Sequence, residues 1–299
     1  MKRIIAIAGP TASGKTALSI KLAQAFDTEI ISADSRQFYK EMRIGTAVPS
    51  EEELAGAAHH FIQHISIFDD YNVGDFERDF LLKSEELFKK NDTLILVGGS
   101  GLYVKAACEG LDKLPQKNEV IRAELNNILK EKGIEALQQI LKELDAEYYQ
   151  IADVQNPHRL IRGIEILQQS GGKKMAALYA QSKSERDFEC ITIGLNTERA
   201  KLYERINKRV DIMVEEGLLD EVKSLLPYKD LNALNTVGYK ELFEYFSGNT
   251  SLETALENIK MNTRRFAKRQ ITWFKKTENI QWFDIDYDLD EIINFLNIS

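Results

Sequence analysis

The sequence predicts an α/β fold, a parallel sheet with helices on both faces, interrupted by a helical insertion. Three observations carry this expectation. Short apolar, β-branched runs alternate with amphipathic stretches, the pattern of a sheet covered on both sides. The runs at Arg3–Ala8 and Thr93–Val97 each stop at a glycine. From Gln116 to Lys183 the pattern turns helical and charged throughout, and a strand-like run returns only at Arg186–Leu195.

In chain order, Arg3–Ala8 (RIIAIA) is apolar after its first residue and reads as a buried parallel strand. Gly14–Phe26 places Leu18, Leu22 and Phe26 at helical spacing. Glu29–Ser32 is a second short strand. Phe76–Lys90 is an amphipathic helix with Phe80, Leu87 and Phe88 inward, and Thr93–Val97 (TLILV) is a buried strand. Helical patterns resume at Thr197, one long helix is expected over Leu252–Lys276, and a short strand around Ile280–Phe283. The expected division is a core from 1–115 and 186–299, with an insertion at 116–185.

Hydrophobic residues make up 43% and charged residues 29%, enough apolar surface for a core without disulfides. Cys108 and Cys190 have no metal-ligand spacing, and a reduced, cytoplasmic compartment is expected. The apolar start, Met1–Ala8, lacks the length and cleavage site of a signal peptide, and no run is long enough for a membrane span. A net charge of −8 argues against a general nucleic-acid coat, so any nucleic-acid contact must come from local basic stripes.

Gly9, Pro10, Thr11, Ala12, Ser13, Gly14, Lys15 and Thr16 match G-x-x-x-x-G-K-[ST] in full, with a buried strand before and a helix after. Such a loop turns backbone N–H groups toward phosphate oxygens at a helix N-terminus. Lys15 supplies a point charge, and the Thr16 hydroxyl is the expected Mg²⁺ ligand. The core is therefore expected to be P-loop NTPase-like. The loop alone admits a kinase, an NTPase switch, or a transferase releasing pyrophosphate. A switch should end its third strand in an acid, whereas here the strand ends Val97-Gly98-Gly99-Ser100. Asp34, just past the carboxyl end of the second strand, is placed to support a metal or accept a proton, or simply to cap a turn.

Seven segments, GPTASGKTAL (9–18), ISADSRQFYKEMRIGTAVPS (31–50), LVGGSGLYVKA (96–106), HRLIRGIEI (158–166), the Arg205-to-Val222 helix, NTVGYKE (235–241) and AKRQITWFK (267–275), run nearly end to end. In this order they resemble the bacterial tRNA dimethylallyltransferases, or tRNA isopentenyltransferases. The resemblance implies that the P-loop holds dimethylallyl diphosphate rather than ATP. It implies that the dimethylallyl group passes to the exocyclic N6 of the adenine 3′ of the anticodon. Asp34 then takes the amine proton, while Lys15, Mg²⁺ near Thr16, and Arg209 stabilise departing pyrophosphate. Ser100 stands where the family usually has Thr and keeps the hydroxyl. Read without the family, Arg205 and Arg209 are an i,i+4 pair that also suits a solvated face.

A stacked anticodon-loop base must be flipped out to react. The resemblance assigns that base to Asp34, Ser35, Arg36 and Gln37 with Ser100. It assigns further contacts with the tRNA anticodon stem-loop to Arg122, to His158, Arg159, Leu160, Ile161 and Arg162, and to Thr236, Val237, Gly238, Tyr239 and Lys240. The strongest charge signal is the basic stripe over Lys260–Lys276, where Arg264, Arg265, Lys268, Arg269, Lys275 and Lys276 are interleaved with Phe266, Trp273 and Phe274. Such a stripe suits phosphate contacts; read without the family, it better suits an amphipathic helix with a solvated basic face. His59, His60 and His64 lack the H-E-x-x-H pattern, and FIQHISIF reads as strand-like. A monomer is expected. The alternatives are a small-molecule kinase of the nucleotide-kinase type, with the insertion as lid, and a non-catalytic RNA-binding module.

Overall fold

The computed structural model describes residues 2–180, 185–277 and 279–298. In chain order it forms β1 (Arg3–Ala8), α1 (Lys15–Ala25), β2 (Ile30–Ser32), α2 (Glu51–Gly56), β3 (His59–His60), α3 (Val73–Leu87), β4 (Thr93–Val97) and α4 (Gly101–Glu109). Then come α5 (Glu119–Lys132), α6 (Ile134–Leu144), α7 (Ala146–Ile151), α8 (Pro157–Gln169) and α9 (Met175–Tyr179). The chain closes with β5 (Glu189–Asn196), α10 (Arg199–Glu215), α11 (Leu218–Leu225), α12 (Tyr239–Phe246), α13 (Leu252–Phe274), β6 (Gln281–Asp284) and α14 (Leu289–Ile298). Two compact units result, Met1–Glu109 with Arg186–Ser299, and Gly110–Glu185. Lys183, the end of the expected helical stretch, lies outside the described residues.

The first unit is built on a six-stranded parallel sheet in the order β3-β2-β4-β1-β5-β6. Central β1 shows why its sequence is continuously apolar. Ile4, Ala6 and Ala8 face one core with Phe76, Phe80 and Phe274, while Ile5 and Ile7 face another with Leu18, Leu22 and Leu296. A strand covered on both faces has no polar side to alternate with. From β1 the chain goes out to β2 on one side and, after β4, crosses to β5 on the other. Loops at the carboxyl ends of β1, β2 and β4 thereby open into one crevice. A third core joins α10–α13 around Val210, Leu218, Tyr239 and Ile259.

The second unit packs α5–α9 around Leu125, Leu137, Leu141, Leu160 and Ile164. Asn118 and Asn156 cap α5 and α8, each accepting two backbone N–H bonds, and Pro157 takes the first turn of α8.

Two expectations are corrected. FIQHISIF is not a strand; only His59–His60 pairs in the sheet, and Ile65 makes a single bridge to Tyr39. Cys108, near the end of α4, and Cys190, in β5, are joined as a disulfide across 82 residues. This departs from the expected reduced cysteines, because the end of α4 meets β5. No described helix is long and apolar enough to cross a membrane.

Candidate active site

Three loops and two helices converge on a cavity of about 1810 Å³ in the first unit. A typical small-molecule pocket is about 300–1,000 Å³, so this one has room beyond a single small ligand.

The P-loop forms one wall. Gly9, Ala12 and Gly14 take positive φ of 145°, 64° and 89°. At Gly9 the requirement is also steric, since a Cβ would lie 2.6 Å from the Leu195 carbonyl oxygen. Ala12 has no such freedom, and its conformation is held by Arg205, whose Nε donates to the Ala12 carbonyl at 2.7 Å. Ser13 Oγ is buried without a partner among the described residues, a donor in search of an acceptor. Lys15 Nζ donates to the Pro10 carbonyl at 2.7 Å. Burial lowers the Lys15 ammonium to about 8; nearby Asp34 opposes this and Arg209 adds to it. Arg209 is also held below its usual range, first by burial and then by Arg205. Both arginines line the cavity; Arg209 is half-buried there, while Arg205 keeps an exposed side chain and reaches the P-loop through its bond to Ala12. Lys15, Arg205 and Arg209 enter no ion pair among the described residues. Clustered cations of this kind call for an anionic ligand.

Opposite lies the end of β2. Asp34 Oδ1 accepts the Arg36 N–H at 3.1 Å, so Asp34 both shapes its turn and lines the cavity. Ser100 Oγ lies 3.2 Å from the Ser35 N and 3.1 Å from Ser35 Oγ, which joins the β2 and β4 loops. The Arg36 guanidinium donates to the Ala233 carbonyl, and Gln37 Nε2 to the Ala47 carbonyl at 2.8 Å. These two side chains brace the cavity wall.

Thr236, Val237, Gly238 and Lys240 line the same cavity, but Tyr239 does not. Its ring is fully buried under Gly45 and its hydroxyl donates to Glu221 at 2.6 Å. Tyr239 therefore supports the wall and presents no aromatic surface. On α13, Arg269, Phe266 and Trp273 line the cavity, the two aromatics being 38% and 41% exposed, while Phe274 is in the core. Arg265 and Lys268 are exposed. Arg264 bonds Asn207 and lies over Tyr203.

In the second unit, His158 and Arg159 are exposed, with Arg159 3.1 Å from Asp153. Leu160 and Ile161 are buried in that unit's core. Arg122 and Arg162 both bond the fully buried Glu165, at 3.0 and 2.7 Å. Sequence reasoning missed Gln270 and Glu221. The first carries a signal, a polar residue in the buried register between Ala267 and Phe274. Glu221, which accepts the N–H groups of Arg43, Ile44 and Gly45, carries none.

A P-loop facing a carboxylate and a hydroxyl across a wide cavity defines a P-loop enzyme of group transfer. The IPP transferase family model matches residues 37–277. The chain is 59% identical to the tRNA dimethylallyltransferase of Christiangramia forsetii, over 98% of this chain and 97% of that one. The structure of the tRNA isopentenylpyrophosphate transferase of Bacillus halodurans is similar, with a TM-score of 0.74, 37% identity, and coverage of 99% and 96%. A eukaryotic dimethylallyltransferase acting on tRNA gives a TM-score of 0.81 at 28% identity, covering 95% of this chain and 74% of that one. The chain belongs to the IPP transferase family.

Proposed function

We propose that this cavity moves a dimethylallyl group from dimethylallyl diphosphate to N6 of the adenine immediately 3′ of the anticodon in tRNA. The chain is a tRNA dimethylallyltransferase. A half-buried, cationic P-loop faces Asp34 across one cavity, and this arrangement supports the roles given to each residue.

The diphosphate sits on the P-loop backbone, with Lys15 and Arg209 on its oxygens. The Thr16 hydroxyl, a hard oxygen donor, would hold Mg²⁺, with water and the diphosphate completing its shell. Mg²⁺, when bound there, neutralises charge on the leaving oxygens. As the new C–N bond forms to N6, the C–O bond to the diphosphate breaks and pyrophosphate leaves with the electron pair. The N6 proton passes to Asp34, and Ser35 and Ser100 hold the acceptor beside it. Preorganised cations act where charge develops. The exposed faces of Phe266 and Trp273 suit unstacked bases, and the exposed cations of α13 suit phosphates. In the second unit, the exposed His158 and Arg159, the latter paired with Asp153, are the side chains offered to RNA, with Arg122 and Arg162 shaping the surface.

Labelled dimethylallyl diphosphate, Mg²⁺ and unmodified tRNA, with AMP and ATP as competing acceptors, test the reading. Label is expected in tRNA alone. Label in AMP would move the acceptor to free nucleotides. Asp34→Ala is expected to lower transfer by about 10²–10⁴-fold with tRNA binding kept; unchanged turnover removes its role as base.

A further inference from the structure

Helix α13 turns an apolar stripe inward through Ala255, Ile259, Ala267 and Phe274, and Gln270 occupies the same stripe at 7% exposure. Its neighbours Arg269 and Trp273 are exposed at the cavity. The Gln270 amide reaches two backbone groups far apart in sequence. Oε1 accepts the Thr11 N–H at 2.9 Å, and Nε2 donates to the Gly99 carbonyl at 2.9 Å. The partners dictate this orientation, since a backbone N–H can only donate and a carbonyl only accept.

The glycines around Ser100 follow from the same packing. A Cβ on Gly99 would lie 2.4 Å from Gln270 Nε2, and one on Gly101 would lie 2.1 Å from Trp273 Cδ1. A Cβ on Gly98 would lie 2.5 Å from the Ala33 carbonyl oxygen. Two side chains one turn apart on α13 thus fill the space of two glycines that flank Ser100. The Ser100 hydroxyl is left aimed at Ser35.

We propose that Gln270 is a positioning residue that sets the spacing between the P-loop and the Ser100 loop, and ties that spacing to α13. This deepens the proposed function and rests on it. The P-loop holds the leaving group and the Ser100 loop faces the acceptor, so Gln270 fixes the distance across which the allyl carbon travels. A misplacement of about 1 Å can cost about 100-fold in rate.

The test combines Gln270→Glu, Gln270→Ala and Gly99→Ala, read by single-turnover rate, KM for tRNA, thermal unfolding, and binding of inorganic pyrophosphate with Mg²⁺. Gln270→Glu keeps an acceptor for Thr11 but sets an oxygen against the Gly99 carbonyl. It is expected to lower the single-turnover rate by about 100-fold with KM for tRNA little changed, a loss larger than any fall in Tm from the buried carboxylate accounts for. Gly99→Ala alone is expected to cost about tenfold, because the new methyl displaces the amide. In the Gln270→Ala background, which opens that space, the same change is expected to cost less than about threefold. Additive losses, or losses that follow Tm, would overturn the proposal. If the wild-type enzyme transferred no label to tRNA, the activity reading would fail instead. The same cycle read on pyrophosphate binding then tests the clamp by itself: non-additive losses support it and additive ones overturn it.

Discussion

The cavity and the insertion both gather basic side chains, and they treat them in opposite ways. Lys15, Arg205 and Arg209 are drawn toward the P-loop without an ion-pair partner among the described residues, and burial lowers Lys15 and Arg209. Arg122 and Arg162 converge on Glu165, which has no exposed surface. Burial pulls the Glu165 carboxyl up, but bonds from both arginines and the Asn118 N–H outweigh it and hold it below its usual range. Cations around a cavity with no ion-pair partner among the described residues suit a ligand's charge; cations satisfied by a buried acid hold a fold. Sequence shows an arginine in either case, and only its partner decides which it is.

Lys15→Ala is expected to cut turnover by about 10²–10³-fold, the loss typical of one donor to a developing anion. Its unfolding midpoint should stay level or rise, since a desolvated charge is removed. A lowered midpoint with normal turnover would make Lys15 structural.

Glu165→Ala should do the reverse. It is expected to destabilise the protein by about 2–3 kcal/mol, below the full figure for a broken buried pair because both guanidiniums are about one-third exposed. Denaturant unfolding measures this, and pyrophosphate binding should be unaffected.

Lys268→Glu with Arg269→Glu tests whether the exposed cations of α13 meet phosphate. Affinity for tRNA should drop at low salt, and the slope of log K against log salt should flatten by about 2. An unchanged slope would class this face with the satisfied arginines.

The smallest effect is in pH. With Lys15 lowered to about 8 from 10.5, the unfolded state binds the extra proton between those values. Lys15 therefore contributes stability that rises with pH across that window. Pyrophosphate prefers the charged form, so its affinity should weaken as pH rises through about 8. Lys15→Ala should flatten this profile in titration calorimetry.

Features contiguous along the chain could be read without the fold. The P-loop, the apolar strands β1 and β4, the helical insertion and the long α13 were all legible, because each follows from periodicity, turn chemistry or a motif contiguous along the chain. Asp34 was legible as a candidate because strand ends in a parallel sheet share one crevice. The tertiary structure decided which side chains meet. Tyr239, expected at the RNA surface, is buried against Gly45 and Glu221. Arg122 and Arg162 are taken up by Glu165. Cys108 finds Cys190. Gln270 joins Thr11 to Gly99 across 259 and 171 residues. Apart from the i,i+3 pair Arg162–Glu165, such pairings depend on how segments separated in sequence pack together, and no local pattern encodes a contact whose other half lies far along the chain.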